Sequence, residues 1–234
     1  MLNADLRRDL VRANHIIERF HLSNAFGHVS LRIPGTKTFL FPTRRSPGLA
    51  HEDHLLVLDT DGNILSGDGT PNSEFWIHAR IYAGRPDVGG VVHAHPPACI
   101  CLTQIGQPHR IVHNGGGAFH GGVPEYERIG LIRSAKLGDL LAQRLGHGIA
   151  VMMRGHGFTT AAADVRSATV AACLLEESAE LQLRMLAAAG GDAARIRAYT
   201  QEETDRVRDV IDPRVVARAW EYYAAAAAAR PLGG

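Results

Sequence analysis

Apolar positions Leu6, Leu10, Ala13, Ile17 and Phe20 recur at helical spacing, which predicts an amphipathic opening helix over about residues 3–22. The period then drops to two. Residues 27–32 (GHVSLR) and 38–41 are predicted as short strands separated by a Pro34-Gly35 turn. Residues 55–59 and Ile64-Leu65 flank Asp61-Gly62-Asn63, whose glycine supplies the positive φ of a tight hairpin. After Thr70-Pro71, Ser73 reads as an N-cap and Glu74 as a first-turn carboxylate, with the helix running on through FWIHARIYAG. Residues 88–95 are β-branched enough for a buried strand, and Pro96-Pro97 opens a helix at the position proline tolerates best.

In the second half, residues 110–113 are strand-like and lead into a flexible Gly115-Gly116-Gly117. Residues 134–145 have helical periodicity, and residues 148–154 form a strand ending at Gly155-His156-Gly157. A long Ala/Leu/Glu helix is predicted over 162–189 and a second helical stretch over about 200–223. The low-complexity tail, residues 224–234, is expected to fray. Mixed helices and strands with hairpins predict one α/β domain over 1–223, with a mixed or mostly antiparallel sheet rather than a doubly wound parallel one.

Composition narrows this picture. A chain of 234 residues supports one well-cored domain and is short for two. Lys+Arg total 25 against 24 Asp+Glu without long runs, so no charge footprint points to nucleic acid or an anionic membrane. Apolar runs are too short to span a bilayer, and the charged N-terminal helix is unlike a secretory signal. Three cysteines without framework spacing favour a cytoplasmic setting. Cys99 and Cys101 lie two apart on the predicted helix, do not share a face, and read as small core residues.

Thirteen histidines are the compositional hint of metal or proton chemistry. On a strand, His93 and His95 project to one face at chelating distance, while Ala94 turns to the packed face. Two histidines in a core strand are an equally good reading of that pair alone. The strand-to-helix junction after them tips the balance, because sheet ends are where sites open. His156, between two glycines at the end of another apolar strand, offers a third imidazole. Three protein ligands with an open position are the catalytic metal arrangement. Glu74 is either a carboxylate at that centre or an ordinary glutamate complementing a helix dipole.

Four blocks in order now resemble the class II aldolase/adducin family: Gly27-His28-Val29-Ser30-Leu31-Arg32, Asn72-Ser73-Glu74, His93-Ala94-His95-Pro96 and Arg154-Gly155-His156-Gly157. The likeness runs from about Leu6 to about Ala189. It implies a three-layer α/β/α fold, a cyclic homotetramer with sites between subunits, and a divalent metal on His93, His95 and His156. It also implies that Glu74 serves as acid/base or extra ligand. The adducin branch lacks the metal site, so a non-enzymatic scaffold stays as a distant alternative. Three neutral imidazoles leave the metal its full double charge, able to grip a hydroxyl and a neighbouring carbonyl or carboxylate and to stabilise an enediolate. Zinc is the first choice, with manganese, cobalt or ferrous iron fitting the same ligands.

The chain departs from the sugar-phosphate members of that family. Where those hold phosphate, this sequence has His28, Thr43-Arg44 and Asn72-Ser73, and the glycine of the phosphate-binding turn is missing. Arg44 and Arg45 offer planar forks suited to a carboxylate, unless they are simply a solvated surface. A tyrosine that such aldolases give to the neighbouring subunit as proton donor is replaced at His113-Asn114. His113 or His120 is a candidate substitute, as are Tyr126, Tyr222 and Tyr223. These features favour decarboxylation of an unphosphorylated hydroxylated acid, including aromatic ones. An aldolase, epimerase or dehydratase acting on a small sugar-like substrate is the alternative.

Overall fold

The computed structural model describes residues 4–229. Helix α1 (Ala4–Arg19) precedes strands β1 (His28–Arg32), β2 (Thr38–Pro42), β3 (Leu55–Asp59) and β4 (Ile64–Ser66). Helix α2 (Phe75–Gly84), β5 (Gly90–Ala94), α3 (Pro97–Gln104), β6 (Glu125–Tyr126) and α4 (Ala135–Leu145) follow. Next come β7 (Ala150–Met153), β8 (Gly157–Ala162), α5 (Val165–Ala188), α6 (Gln201–Asp205) and α7 (Pro213–Ala228). The strands form one sheet in the order β4-β3-β2-β1-β5-β8-β7-β6. Every pairing is antiparallel except β6 with β7. The mixed, mostly antiparallel sheet is therefore observed.

Strand alternation divides the core in two. Val29, Leu31, Val92, Ala94, Met152 and Phe158 pack towards α1, α3, α5 and α7. Val91, Val151, Met153, Ala161, Phe39 and Phe41 pack towards α2 and α4. Those are the three layers, and full burial of each Leu, Ile or Phe side chain contributes about 1.5–3 kcal/mol. Ala94 is fully buried in the α1/α5 layer, as alternation predicts. His93, one residue earlier, turns to the α2 layer. Ser134 caps α4 by accepting from the Leu137 N–H, which fixes that helix start where the pattern predicts it.

Several local expectations are corrected. Residues 157–162 are a strand, so the helix expected from Ala162 starts at Val165 instead. The β-favouring Phe158-Thr159-Thr160 run pairs with both β5 and β7, and the long helix waits for Asp164, which caps it through the Ser167 N–H. Residues 110–113 form no strand: the Arg110 N–H donates to Gln182 Oε1 and the Ile111 carbonyl accepts from the Tyr199 N–H. Residues 114–119 form a 3-10 helix in which Gly117 lies so close to the Val207 carbonyl that a Cβ would stand 2.2 Å from it. The stretch over 200–223 breaks into α6 and α7 at Asp212-Pro213, a cap followed by a proline that cannot extend the preceding helix. Residues 224–228 continue α7, with Ala224 and Ala227 packed on the core; the expected fraying beyond residue 229 lies outside the described residues. Of the two neighbouring cysteines, Cys99 is core but Cys101 is exposed.

Candidate metal centre

The site lies where β1, β5 and β8 meet the start of α2. Pairing sets His28 opposite His93 across β1/β5, and His93 opposite Thr159 across β5/β8. The fully buried His93 places Nδ1 3.0 Å from the Phe158 carbonyl. Only a protonated Nδ1 can donate there, so Nε2 keeps its lone pair for the cluster. His95 follows the last residue of β5, its backbone N–H donating to the Leu22 carbonyl at 2.9 Å. Its Nε2 comes within 3.0 Å of His93 Nε2.

His156 occupies the β7–β8 turn between Gly155 (φ +63°) and Gly157 (φ +148°). A Cβ on Gly157 would stand 2.0 Å from the Ala94 carbonyl, so only glycine lets the turn close onto the end of β5. His156 is thereby brought beside His95, with rings stacked at 4.9 Å between centroids.

Glu74 takes the N-cap position of α2, one residue later than predicted, and Asn72 Oδ1 accepts its backbone N–H at 3.0 Å. Its Oε1 accepts from the Ile132 N–H at 2.8 Å. Its Oε2 lies 3.6 Å from His156 Nε2 and 3.9 Å from His93 Nε2. One ligand atom from each of Glu74, His93, His95 and His156 falls within 4.8 Å of all the others. Nitrogen ligands at 2.0–2.1 Å around a tetrahedral ion stand about 3.3 Å apart. The donor set and its spacing thus fit a divalent cation.

Electrostatics agree with the geometry. Burial, then the other imidazoles, holds His93 well below its ordinary pKa. Burial and His156 bring His95 down to about 4. For Glu74, burial pushes up, but the His156 contact and the Ile132 N–H outweigh it and leave the carboxyl below its usual range. His93 and His95 therefore present unprotonated nitrogens beside an ionised Glu74 at neutral pH, the form that metal binding needs.

The other predicted residues divide into two groups. Thr43 bridges to Pro71 and the Arg44 N–H donates to the Thr70 carbonyl at 2.9 Å, so this loop runs beside the segment leading into Glu74. Thr43 thus lies beside, and Asn72 and the half-buried Ser73 lie on, the segment that leads into Glu74. Thr43 Oγ1 is buried with no hydrogen-bond partner among the described residues. Arg44 and Arg45 are exposed. His28 is buried beside the cluster, its ring 5.2 Å from that of His93. His113 is not brought to the four residues. It precedes the 3-10 helix over 114–119 and lies against Gly115, its Nε2 buried without a hydrogen-bond partner among the described residues. Tyr222 and Tyr223 pack on Phe20, between α1 and α7.

Sequence reasoning missed His78, whose rings of contact include His28 and Phe41. The available signal was Glu74, His78 and Tyr82 at i, i+4 and i+8, one face of α2. Burial alone takes His78 down to about 3. Unfolded imidazoles titrate near 6.5, so below that pH the unfolded chain binds more protons than the fold. The metal-stripped protein is therefore expected to lose stability as pH falls from about 6.5 towards 3–4, by about 1.4 kcal/mol per pH unit for each such histidine. Urea melts of chelator-treated protein across that range check this; a midpoint independent of pH would mean the rings are already charged in the fold.

Residues 8–183 match the family model described as Class II Aldolase and Adducin N-terminal domain. The chain is 31% identical over 209 residues to a 3,4-dihydroxyphthalate decarboxylase of Arthrobacter keyseri, covering 81% of this chain and 82% of that one. It is 29% identical over 170 residues to an L-fuculose phosphate aldolase of Methanocaldococcus jannaschii, covering 72% and 90%. In fold it is similar to an L-fuculose 1-phosphate aldolase from Glaciozyma antarctica, with a TM-score of 0.82, 21% identity and coverage of 96% and 88%. Among the described residues no helix is long and apolar enough to cross a membrane.

Proposed function

Because the chain belongs to the class II aldolase and adducin family and is a lyase, we propose that it decarboxylates an unphosphorylated, hydroxylated carboxylic acid, aromatic acids foremost. The observation that carries this reading is the convergence of three imidazole nitrogens on a carboxylate pinned through one oxygen, with its other oxygen turned to the cluster. His93, His95 and His156 would hold the cation, which we read as zinc from the imidazole set. When bound, it supplies Lewis-acid stabilisation of the charge that develops as the carbon–carbon bond breaks.

The chain's own groups do the rest. Glu74, ionised at rest, accepts the proton of the substrate hydroxyl through Oε2 and returns it to the carbon that carbon dioxide leaves. The Ile132 N–H holds Oε1, so the proton moves on one defined oxygen. His28, Thr43 and the Asn72-Ser73 segment line the approach and orient the carboxylate, with Arg44 at the exposed rim. His113 we assign as a proton donor towards a neighbouring subunit of a homotetramer, the assembly the family resemblance implies.

Aldol cleavage is the second reading, favoured by the aldolase relative. It needs a phosphate cradle, and the Thr43-Arg44 turn lacks the glycine such a nest uses. Carbon dioxide release from a panel of hydroxylated aromatic and aliphatic acids, with metal-loaded and chelator-stripped enzyme, separates the two. Metal-dependent release is expected. Carbonyl fragments from polyhydroxylated substrates, with no carbon dioxide from any acid, would replace decarboxylation with aldol cleavage.

A further inference from the structure

Behind the metal centre runs a chain of buried polar side chains linking β1 to α2. His28 Nδ1 lies 2.8 Å from His78 Nε2, His78 Nδ1 lies 2.6 Å from Ser30 Oγ, and Ser30 Oγ lies 2.8 Å from the Tyr82 hydroxyl. All four residues are at most 3% exposed. Alternation along β1 puts His28 and Ser30 on one face, and helical spacing puts His78 and Tyr82 on the face of α2 that meets them. Each group in the chain can donate or accept, so two opposite polarities satisfy the inner links.

Tyr82 decides between them. Its phenol proton has one acceptor among the described residues, Ser30 Oγ. The charged neighbour of its ring is the Arg32 guanidinium, 4.7 Å from the centroid and able only to donate. Burial keeps the phenol protonated. Turning that proton away from Ser30 would leave a buried O–H unpaired, at the full cost of its desolvation. Tyr82 O–H therefore donates to Ser30 Oγ, Ser30 O–H donates to His78 Nδ1, and His78 Nε2–H donates to His28 Nδ1. His28, neutral with Nδ1 accepting, carries its proton on Nε2.

We propose that Ser30, His78 and Tyr82 are positioning residues that hold His28 as a fixed Nε2–H donor beside the metal centre, where it binds the substrate carboxylate. The polarity of the relay rests on its hydrogen-bond geometry; the carboxylate rests on the decarboxylase reading. A neutral donor suits this task because its proton sits on a known atom before substrate arrives, and no reorganisation is needed on binding.

The first test is a long-range 1H–15N imidazole spectrum of zinc-loaded enzyme labelled at histidine nitrogen, with His28 and His78 assigned by substitution. Both rings are expected as the Nε2–H tautomer. Tyr82→Phe is expected to raise a population of the Nδ1–H form at His28, whereas Ser30→Thr, which keeps the hydroxyl, is expected to keep the wild-type pattern. An Nδ1–H His28 in the wild type, or an unaltered pattern in Tyr82→Phe, would overturn the relay.

The second test titrates the same proteins with 2,3-dihydroxybenzoate and with catechol, which lacks the carboxylate. His28→Phe is expected to weaken the acid roughly 10- to 100-fold, the scale of a hydrogen bond to a charged group, and to leave catechol unchanged. Equal weakening of both probes would overturn the carboxylate assignment. If the tautomers and the probe discrimination hold while no acid releases carbon dioxide, the decarboxylase reading falls and the relay stands.

Discussion

Replacing His156 by alanine is expected to abolish both stoichiometric metal binding and turnover. The residue supplies one of three imidazoles, and no other histidine joins the group of ligand atoms among the described residues. Two imidazoles and a carboxylate used in proton transfer would hold the ion weakly and in the wrong geometry. His156 is a cleaner target than His93 because it sits on a turn with its side chain 15% exposed. Truncating the fully buried His93 would also open a cavity and remove a hydrogen bond to the Phe158 carbonyl, mixing loss of fold with loss of metal. Metal content after dialysis, measured alongside turnover and a thermal melt, reads the outcome. Full activity with an empty centre would sink the mechanism.

Glu74→Gln is expected to bind metal as the wild type does and to lose roughly two to four orders of magnitude in turnover, the usual scale for removing a general acid–base. Glutamine keeps an oxygen for the Ile132 N–H and nearly the same shape, so α2 should start where it does now. What it cannot do is carry a proton between substrate atoms. The three imidazoles remain, which is why metal content separates this variant from His156→Ala. Wild-type turnover in Glu74→Gln would reduce the residue to an occupant of a helix terminus.

Much of the centre is written locally. Strand alternation was enough to put His93 opposite in facing to Ala94, and the observed core agrees. Glycines on both sides of His156 implied an outward-aimed imidazole at a strand end, and the turn is there with its two positive φ values. Ser134 and Pro97 mark helix starts by capping chemistry that acts within one turn of chain. The errors fall where a local pattern has two solutions. Ala162 sits where an alanine-rich helical stretch meets a β-favouring run, so periodicity started the helix there, and only pairing with β5 and β7 makes 157–162 a strand. Residues 110–113 have strand composition but join no strand of the sheet, and their backbone groups go to Gln182 and Tyr199 instead.

By itself, then, the sequence determined the kinds of side chain that could serve as ligands, the elements beside which they stand and the face His93 takes, because all three follow from interactions within a few residues. Which further side chains meet His93, His95 and His156 was decided only by the tertiary structure. Register brings His28 beside His93 and the Phe158 carbonyl onto His93 Nδ1, while the packing of α2 on the sheet joins His78 to a partner 50 residues away. His113, with the same side chain, is left outside the cluster. These contacts depend on how strands pair and layers stack, a free-energy minimum of the whole chain that leaves no trace in local spacing.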